Sequence, residues 1–283
     1  MKYSIKKNWS GALEMMVTKP FVIMPFIVVA FLEALAFELI YFSPRKPVLL
    51  IAGPLIRKFF GEPYLHYPLN LTILPKLFYN AQIAIYILFW GFLAAITVNI
   101  VKNVRSNLPV KPNALIKNAL GRYFSFISYG ITIIALLFLA QKADMFVFSK
   151  YMRLISKHAP EIMIRLAPLK LGLFLFFSNV LIEVFFLLMI PLIVIQKKPF
   201  FKAIGKSVTM GVGNFFTLLA LILAPFLLYL PLAMARSLLP QLINKTAPEI
   251  SIIITAAGII VSIFVDCFVT ICAAQFLLDK ESS

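Results

Sequence analysis

The sequence is poor in acidic residues, cysteine and histidine. It has 11 Asp and Glu against 27 Lys and Arg, with only two Cys and two His in 283 residues. The two cysteines, Cys267 and Cys272, stand five residues apart in one apolar segment. On a helix they would face different directions, so we expect no disulfide bond and interpret both as small apolar residues.

The same scarcity argues against several kinds of catalytic or metal site. His66 and His158 have no cluster of Cys or acidic residues around them, unlike the ligands of a zinc site. Gly205-Lys206-Ser207 does not complete a phosphate-binding loop, because Phe200 stands where that loop needs a glycine. The Gly-x-Ser-x-Gly motif of serine hydrolases does not occur. We therefore expect no enzyme activity, no catalytic residue, no metal and no cofactor.

Charge is scarce and apolar residues are abundant. Charged residues make up 13% of the chain and hydrophobic residues 61%, with a mean hydropathy of +0.95. This exceeds the apolar content of a soluble domain, which is about half. The net charge of +16 comes from Lys and Arg between the apolar runs. Basic residues in that position contact anionic lipid headgroups and set topology, so we expect a lipid bilayer as partner and no nucleic acid.

Long apolar segments predict six transmembrane helices, since helices satisfy their own backbone hydrogen bonds in lipid. The basic segment 1–19 carries apolar residues at helical spacing and predicts an amphipathic helix among the headgroups. The chain is therefore predicted to be an all-α polytopic membrane protein, with residues 1–283 forming a single membrane domain. The predicted spans are 20–42, 79–101, 123–143, 171–195, 214–235 and 252–278.

Two short motifs recur along the chain at similar offsets. LISKHAPEIMI at 154–164 returns as LINKTAPEISI at 242–252 and more weakly as LIRKFFGEPYL at 55–65. The second motif occurs as ALEMMVT, ALIKNAL and AIGKSVT. We interpret the chain as three tandem two-helix repeats, each with an amphipathic helix, a span, a Leu-Ile-x-Lys-x-x-x-Glu connector and a second span. The units cover about 1–101, 102–195 and 196–283. The second motif lies at 12–18 in the first unit, at 114–120 in the second and at 203–209 in the third.

The connectors allow two interpretations. Their Lys and Glu stand four residues apart, as Lys58 and Glu62 do in the first copy, and can pair on one helix face. The three connectors either form amphipathic helices that gate one mouth of the bundle, or they lie at the membrane interface without a gating role.

One region resembles a known family. The features are a span ending in proline, a basic turn, Ala-Ile-x-x-Ser on a short helix, and Asn-Phe opening the next span. By these features the chain resembles the uncharacterised prokaryotic six-span membrane proteins related to the YciC family and to the membrane domain of some glycerophosphodiester phosphodiesterases. The resemblance implies a prokaryotic plasma membrane and no agreed activity. It is carried by Pro191, Ala203, Ile204, Ser207, Asn214 and Phe215.

Three acidic residues lie deep in predicted spans. A carboxyl group inside a bilayer costs several kcal/mol when it is charged and faces lipid, so it usually faces the bundle interior or water. Glu183 and Asp266 precede Lys197 and Lys280 by the same number of residues, which predicts equal depth. The candidate substrate-binding residues are these acids and nearby polar side chains: Glu33, Glu183, Asp266, Asn179 and Gln82.

These features favour permease-like handling of a small solute, ion or lipid through a central polar site. The alternative is a non-transporting scaffold or accessory subunit that acts through interfacial helices, with its carboxyls hydrogen-bonded between helices. A polar cavity lined by the acids favours the first function, and a sealed bundle favours the second. We expect the plasma (inner) membrane of a prokaryote, with both termini in the cytoplasm because Lys and Arg lie closest to the spans on that side.

Overall fold

The computed structural model describes residues 5–67, 69–155, 167–232, 234–235 and 249–281. Within these residues the chain forms helices and turns and no strand, which confirms the predicted all-α fold. In chain order the helices are α1 Ile5–Thr18, α2 Met24–Tyr41, α3 Val48–Phe59, α4 Leu69–Arg105, α5 Pro112–Leu120, α6 Tyr123–Ile155, α7 Ala167–Phe186, α8 Met189–Val194, α9 Phe200–Gly213, α10 Phe215–Phe226 and α11 Ile250–Glu281.

Five to six of the described helical segments are long and apolar enough to cross a membrane. Five are α2, α4, α6, the α7–α8 segment over Lys170–Val194, and α11. The sixth is the pair α9 and α10, which meet at an angle of 94°. The six predicted spans thus correspond to five or six described segments that are long and apolar enough to cross a membrane. The predicted span over 214–235 is interrupted: α10 ends just after Pro225, a turn follows over 227–229, and the chain is helical again over 230–232 and 234–235.

Two helices extend well beyond their predicted spans. The α4 helix has 37 residues and begins at Leu69, so at 1.5 Å per residue it is about 55 Å long. It runs through Pro75, which removes one backbone hydrogen bond. Burial of Leu74 and Phe78 offsets that loss, because they anchor the first turns of α4 in the bundle. The α6 helix likewise continues from the predicted end at 143 to Ile155.

The helices pack in two layers around the bundle centre. The inner helices are α4, the α7–α8 segment and α11, and α4, α8 and α11 contact one another. The outer helices are α2, α6 and α10. Each outer helix contacts two inner ones: α2 packs on α4 and α11, α6 on α7 and α4, and α10 on α11 and α7. Of the short helices, α1 packs on α11, α5 packs on α4, and α9 packs on both α7 and α8.

The short helices lie at one end of the bundle, which we call the short-helix end. Helix α1 has the predicted amphipathic character, with Ala12 fully buried and Val17 79% exposed. Its buried Asn8 donates a side-chain hydrogen bond to the carbonyl oxygen of Cys272 in α11, over 3.2 Å. In α9, Ser207 donates a hydrogen bond to the Phe185 carbonyl oxygen, over 2.8 Å. These buried polar contacts hold the short helices against the inner ones.

The opposite end, where residues 43–67 lie, is the connector end. Helix α3 ends at Phe59, so Glu62 no longer lies one helical turn beyond Lys58. The predicted pairing of these two residues is wrong: Glu62 forms an ion pair with Arg57, and the Lys58 ammonium lies over the Phe59 ring. Nearly all of the motif in the other two connectors lies outside the described residues, including Lys157, His158, Glu161 and Lys245.

One contact at the connector end joins distant parts of the chain. The Tyr67 hydroxyl donates a hydrogen bond to the Glu249 carboxylate, over 2.8 Å. The pKa of Glu249 is lowered, first by a hydrogen bond with its own backbone and then by Tyr67. The same carboxylate raises the pKa of Tyr67, because the hydrogen bond and the negative charge both favour the neutral phenol.

Candidate functional site

Two adjoining cavities lie inside the bundle. The central cavity has a volume of about 300 Å³ and lies between α4, α6, α7, α8 and α11, with Phe226 and Tyr229 completing its wall. The connector-side cavity has a volume of about 410 Å³ and lies between α2, α4, α6 and α7, in the halves of these helices nearer the connector end. The two cavities share four lining residues: Tyr86, Leu137, Asn179 and Glu183.

The central cavity is built around Trp90. Its indole N–H donates a hydrogen bond to the Asp266 carboxyl group, over 3.1 Å, which joins α4 to α11. The Trp90 ring stacks on Tyr86 at a centroid distance of 4.9 Å and on Tyr129 at 6.1 Å. Residues Tyr86–Trp90 form a π-helical turn within α4. Such turns change the direction of side chains and are frequent at functional sites.

Glu183 stands at the junction of the two cavities. It lines both of them, one helical turn after Asn179. Among the described residues, no side chain donates a hydrogen bond to its carboxyl group, whereas Asp266 is close enough to interact with it electrostatically. No described Lys or Arg lines either cavity. The site therefore has an excess of acidic groups in a region of low dielectric constant, where a positive charge or a proton would be stabilised.

Glu33 lies in the connector-side cavity. The Gln82 amide donates a hydrogen bond to its carboxyl group, over 3.2 Å, which joins α2 to α4. Gln141 of α6 adds another polar side chain to the wall. The cavity reaches the surface of the bundle beside Tyr79, which is 50% exposed.

All five candidate residues line these cavities. Four of them line the connector-side cavity, and Asp266 joins Asn179 and Glu183 in the central cavity. Glu183 and Asp266, which the sequence predicts at equal depth, thus lie in the wall of one cavity. Their role in substrate binding stays a prediction. In the described part of the chain, no group of three His, Cys, Asp or Glu side chains is arranged to hold a metal ion.

Sequence reasoning missed the aromatic residues of the central cavity. Tyr79, Gln82, Tyr86 and Trp90 follow one another at spacings of three, four and four residues, which places them on one face of a helix. Tryptophan in membrane proteins is concentrated at the two interfaces, so Trp90 in mid-span is unusual. Together these two signals could have identified the wall of the cavity. Tyr129, on another helix, carries no such signal.

No protein-family model, curated protein or solved structure matches this chain. The resemblance to the six-span family therefore rests on the residues between Pro191 and Phe215 alone, and it serves only to support a proposal about where the protein resides.

Proposed function

We propose that this chain is a permease-like membrane protein that handles a small solute, ion or lipid through the central cavity. The observation that carries the proposal is the convergence of three carboxyl groups, from α2, α7 and α11, on two adjoining cavities. An acidic residue inside a membrane is costly and usually marks a pathway for a substrate, an ion or a proton. Glu33, Glu183 and Asp266 are therefore the residues expected to bind the solute or to be neutralised during the cycle.

The alternative function is a scaffold or accessory subunit that transports nothing. The hydrogen bonds from Gln82 to Glu33 and from Trp90 to Asp266 favour it, because carboxyls bonded between helices can serve packing alone. Glu183 favours the permease, because it faces two cavities and receives no such bond from a described side chain. The cavities of about 300 and 410 Å³ also fall within the size range of small-molecule binding pockets, which favours the permease.

The two ends of the bundle suggest how a solute would pass. The connector-side cavity leads from the bundle surface to Glu183, and the central cavity continues from there toward the short-helix end. At the short-helix end, Arg122 donates hydrogen bonds to the Ile193 and Lys198 carbonyl oxygens, and Ser207 bonds the Phe185 carbonyl oxygen. A transport cycle would alternate this arrangement with a second state that opens the short-helix end.

The proposal includes three tandem two-helix repeats. The element order short helix, outer helix, connector, inner helix recurs in units of about 1–101, 102–195 and 196–283. Each short helix packs on the inner helix of the preceding unit, and α1 packs on α11 of the last unit. Asn107 and Lys197, which follow α4 and α8, both have a positive φ, of 51° and 52°. The second unit departs from the motif alignment, because Leu115 and Ala119 are buried there instead of Ala114.

The proposed setting is the plasma (inner) membrane of a prokaryote. The resemblance to the six-span family supports this location. The basic residues near α1, α5 and α9 would contact anionic lipid headgroups at the short-helix end, and this supports a proposed topology with both termini in the cytoplasm. The proposed partners are the bilayer and its anionic lipids together with a small solute or ion.

The test measures charge movement in proteoliposomes on a solid-supported membrane. A panel of inorganic cations, amines, amino acids and organic anions is applied to the wild-type protein. We expect at least one class to give a saturable signal, and we expect Glu183→Ala and Asp266→Ala each to abolish it. Both variants should keep the wild-type elution profile and helical content.

Glu38→Ala is the matched control, because Glu38 is an exposed carboxyl on α2 and lines neither cavity. It should leave the signal unchanged. If no class gives a signal, or if both acid variants keep it in full, the permease is wrong and the scaffold is favoured.

A further inference from the structure

The central cavity has features that define the chemistry of a ligand. Its volume of about 300 Å³ is near the lower limit for small-molecule pockets. It has two carboxyl groups and few other polar side chains, and most of its wall is aromatic or aliphatic. We infer that this cavity binds an organic cation, namely an amine or quaternary ammonium ion with apolar substituents. The inference rests on the proposed function and specifies its substrate class.

The charge of the site selects the sign of the ligand. Glu183 and Asp266 line the same cavity, and no described Lys or Arg joins them there. A cation between them compensates their negative charge, whereas an anion would add to it. The Trp90 N–H fixes the orientation of one Asp266 oxygen and leaves the second available to a ligand.

The aromatic wall selects an organic cation over a metal ion. Tyr86, Trp90 and Tyr129 form a continuous stack beside Asp266, and Phe176 and Phe226 line other parts of the cavity. Ring faces that are not covered by a neighbouring ring attract cations within about 6 Å, and several such faces together recognise quaternary ammonium groups. A metal ion would instead need several oxygen ligands, and two carboxyls with aliphatic neighbours supply few.

The scarcity of other polar groups argues against a sugar-like ligand. Besides the two acids, the polar side chains are Asn179, Thr270 and the hydroxyl groups of three tyrosines. A neutral polyol would place many of its hydroxyls against a wall that is mostly aromatic or aliphatic, and each buried hydroxyl without a partner has a cost. An ammonium ion with methyl or benzyl substituents buries apolar surface against the aromatic wall and places its charge beside the acids.

The two tryptophans of the chain provide the assay. Trp9 lines an apolar groove on α1, and Trp90 lies in the central cavity, so Trp9→Phe leaves Trp90 as the single indole reporter. The protein in lipid nanodiscs is titrated with benzyltrimethylammonium, benzyl alcohol and phenylmethanesulfonate, which share a benzyl group and differ in charge. We expect a saturable change in Trp90 emission with the cation only. Glu183→Gln should weaken binding at least about tenfold, which corresponds to 1.4 kcal/mol.

Glu38→Gln is the control variant and should bind the cation as the parent does. Isothermal titration of the same samples checks that the emission change reports binding. Equal binding of the neutral or anionic probe, or no binding of the cation, overturns the inference. The charge-movement measurement distinguishes a wrong substrate class from a wrong proposed function. If another solute class gives a Glu183-dependent signal, only the substrate class is wrong, and if no class does, the permease is wrong as well.

Discussion

The two ends of the bundle differ although the same inner helices form both. Toward the short-helix end these helices carry small residues, and Ala95, Ala273 and Ala274 are at most 1% exposed. Small side chains let membrane helices approach closely and pack without lipid between them. Toward the connector end, α4 and α7 carry Tyr79, Gln82 and Asn179, and a cavity of about 410 Å³ lies between them.

The short-helix end is closed by packing between α4, α8 and α11, with small residues on α4 and α11 and large apolar residues on α8. Ala94 and Ala273 lie in the wall of the central cavity, and the small residues that come after them in sequence belong to the packed region. The polar contacts have the same distribution. Arg105 bonds the Gln275 carbonyl oxygen and pairs with Asp279 at the short-helix end, so hydrogen bonds supplement close packing there.

The largest expected effect is a difference in chemical accessibility between the two ends. Asn179→Cys, with both native cysteines changed to serine, places a thiol in the wall of the two cavities. The second protein carries Cys267→Ser, which leaves the native Cys272 as its single thiol. Cys272 is fully buried near α1. We expect a water-soluble maleimide to label the first protein on the order of a hundredfold faster, because Cys272 reacts only after local opening. Mass spectrometry of timed samples gives both rates.

The Asn8→Ala variant tests whether the contact between α1 and α11 protects Cys272 from labelling. It removes the hydrogen bond from α1 to the Cys272 carbonyl oxygen and should speed the labelling of Cys272 while leaving that of Asn179→Cys unchanged. Equal labelling rates for the two thiols in the parent background would contradict the difference between the ends.

A second prediction concerns the contact between α4 and α6 beside the central cavity. A Cβ atom on Gly130 would lie 2.8 Å from the Cα atom of Ile87, so Gly130→Ala must push the two helices apart. Overpacking of this kind costs about 1–3 kcal/mol, and we expect a lower midpoint of thermal unfolding in detergent. The change should also shift Trp90 emission, because Gly130 adjoins Tyr129 and Ile87 adjoins Tyr86.

Gly205→Ala is the matched control in the short helix α9. Among the described residues, no atom outside the adjacent residues and backbone of α9 lies within 4 Å of a Cβ at this position, so the substitution should stabilise the helix by about 0.8–1 kcal/mol through helix propensity. A Gly130→Ala protein as stable as the parent would mean that α4 and α6 are not in close contact here.

The smallest expected effect belongs to the exposed contact between Tyr67 and Glu249. Because the pKa of Glu249 is lowered in the folded chain, its contribution to stability is present above the ordinary Glu value of 4.5 and is lost as pH falls through the lowered value. The raised pKa of Tyr67 means that its contribution is present below 10.0 and is lost as pH rises further. Tyr67→Phe should therefore lower the unfolding midpoint slightly at pH 7 and by a smaller amount at pH 3. A difference of equal size at both values would contradict this.

The sequence was sufficient to predict the helical membrane fold and the convergence of its acids. Apolar runs report directly on burial in lipid, so the positions of most spans can be read from them. Equal distance from a basic residue predicted that Glu183 and Asp266 lie at the same depth, and both line the central cavity. Because lipid excludes most polar groups, an acidic residue inside a predicted span indicates a side chain that faces the bundle interior or water.

The remaining features depend on packing that a linear pattern does not record. The span predicted to begin at 79 in fact begins at Leu69, because burial of Leu74 and Phe78 keeps α4 helical through Pro75. The π-helical turn at Tyr86–Trp90 changes the helical register by one residue, so fixed spacing does not reveal which rings stack. The ion pair of Glu62 depended on where α3 ends, which its sequence left ambiguous.

The packing of α1 on α11 has a consequence for how the protein is made. Asn8 and the Cys272 carbonyl that it contacts are separated by 264 residues. During translation the N-terminal helix leaves the ribosome long before its binding surface has been synthesised. The contact between α1 and α11 can therefore form only after the final helix has been synthesised.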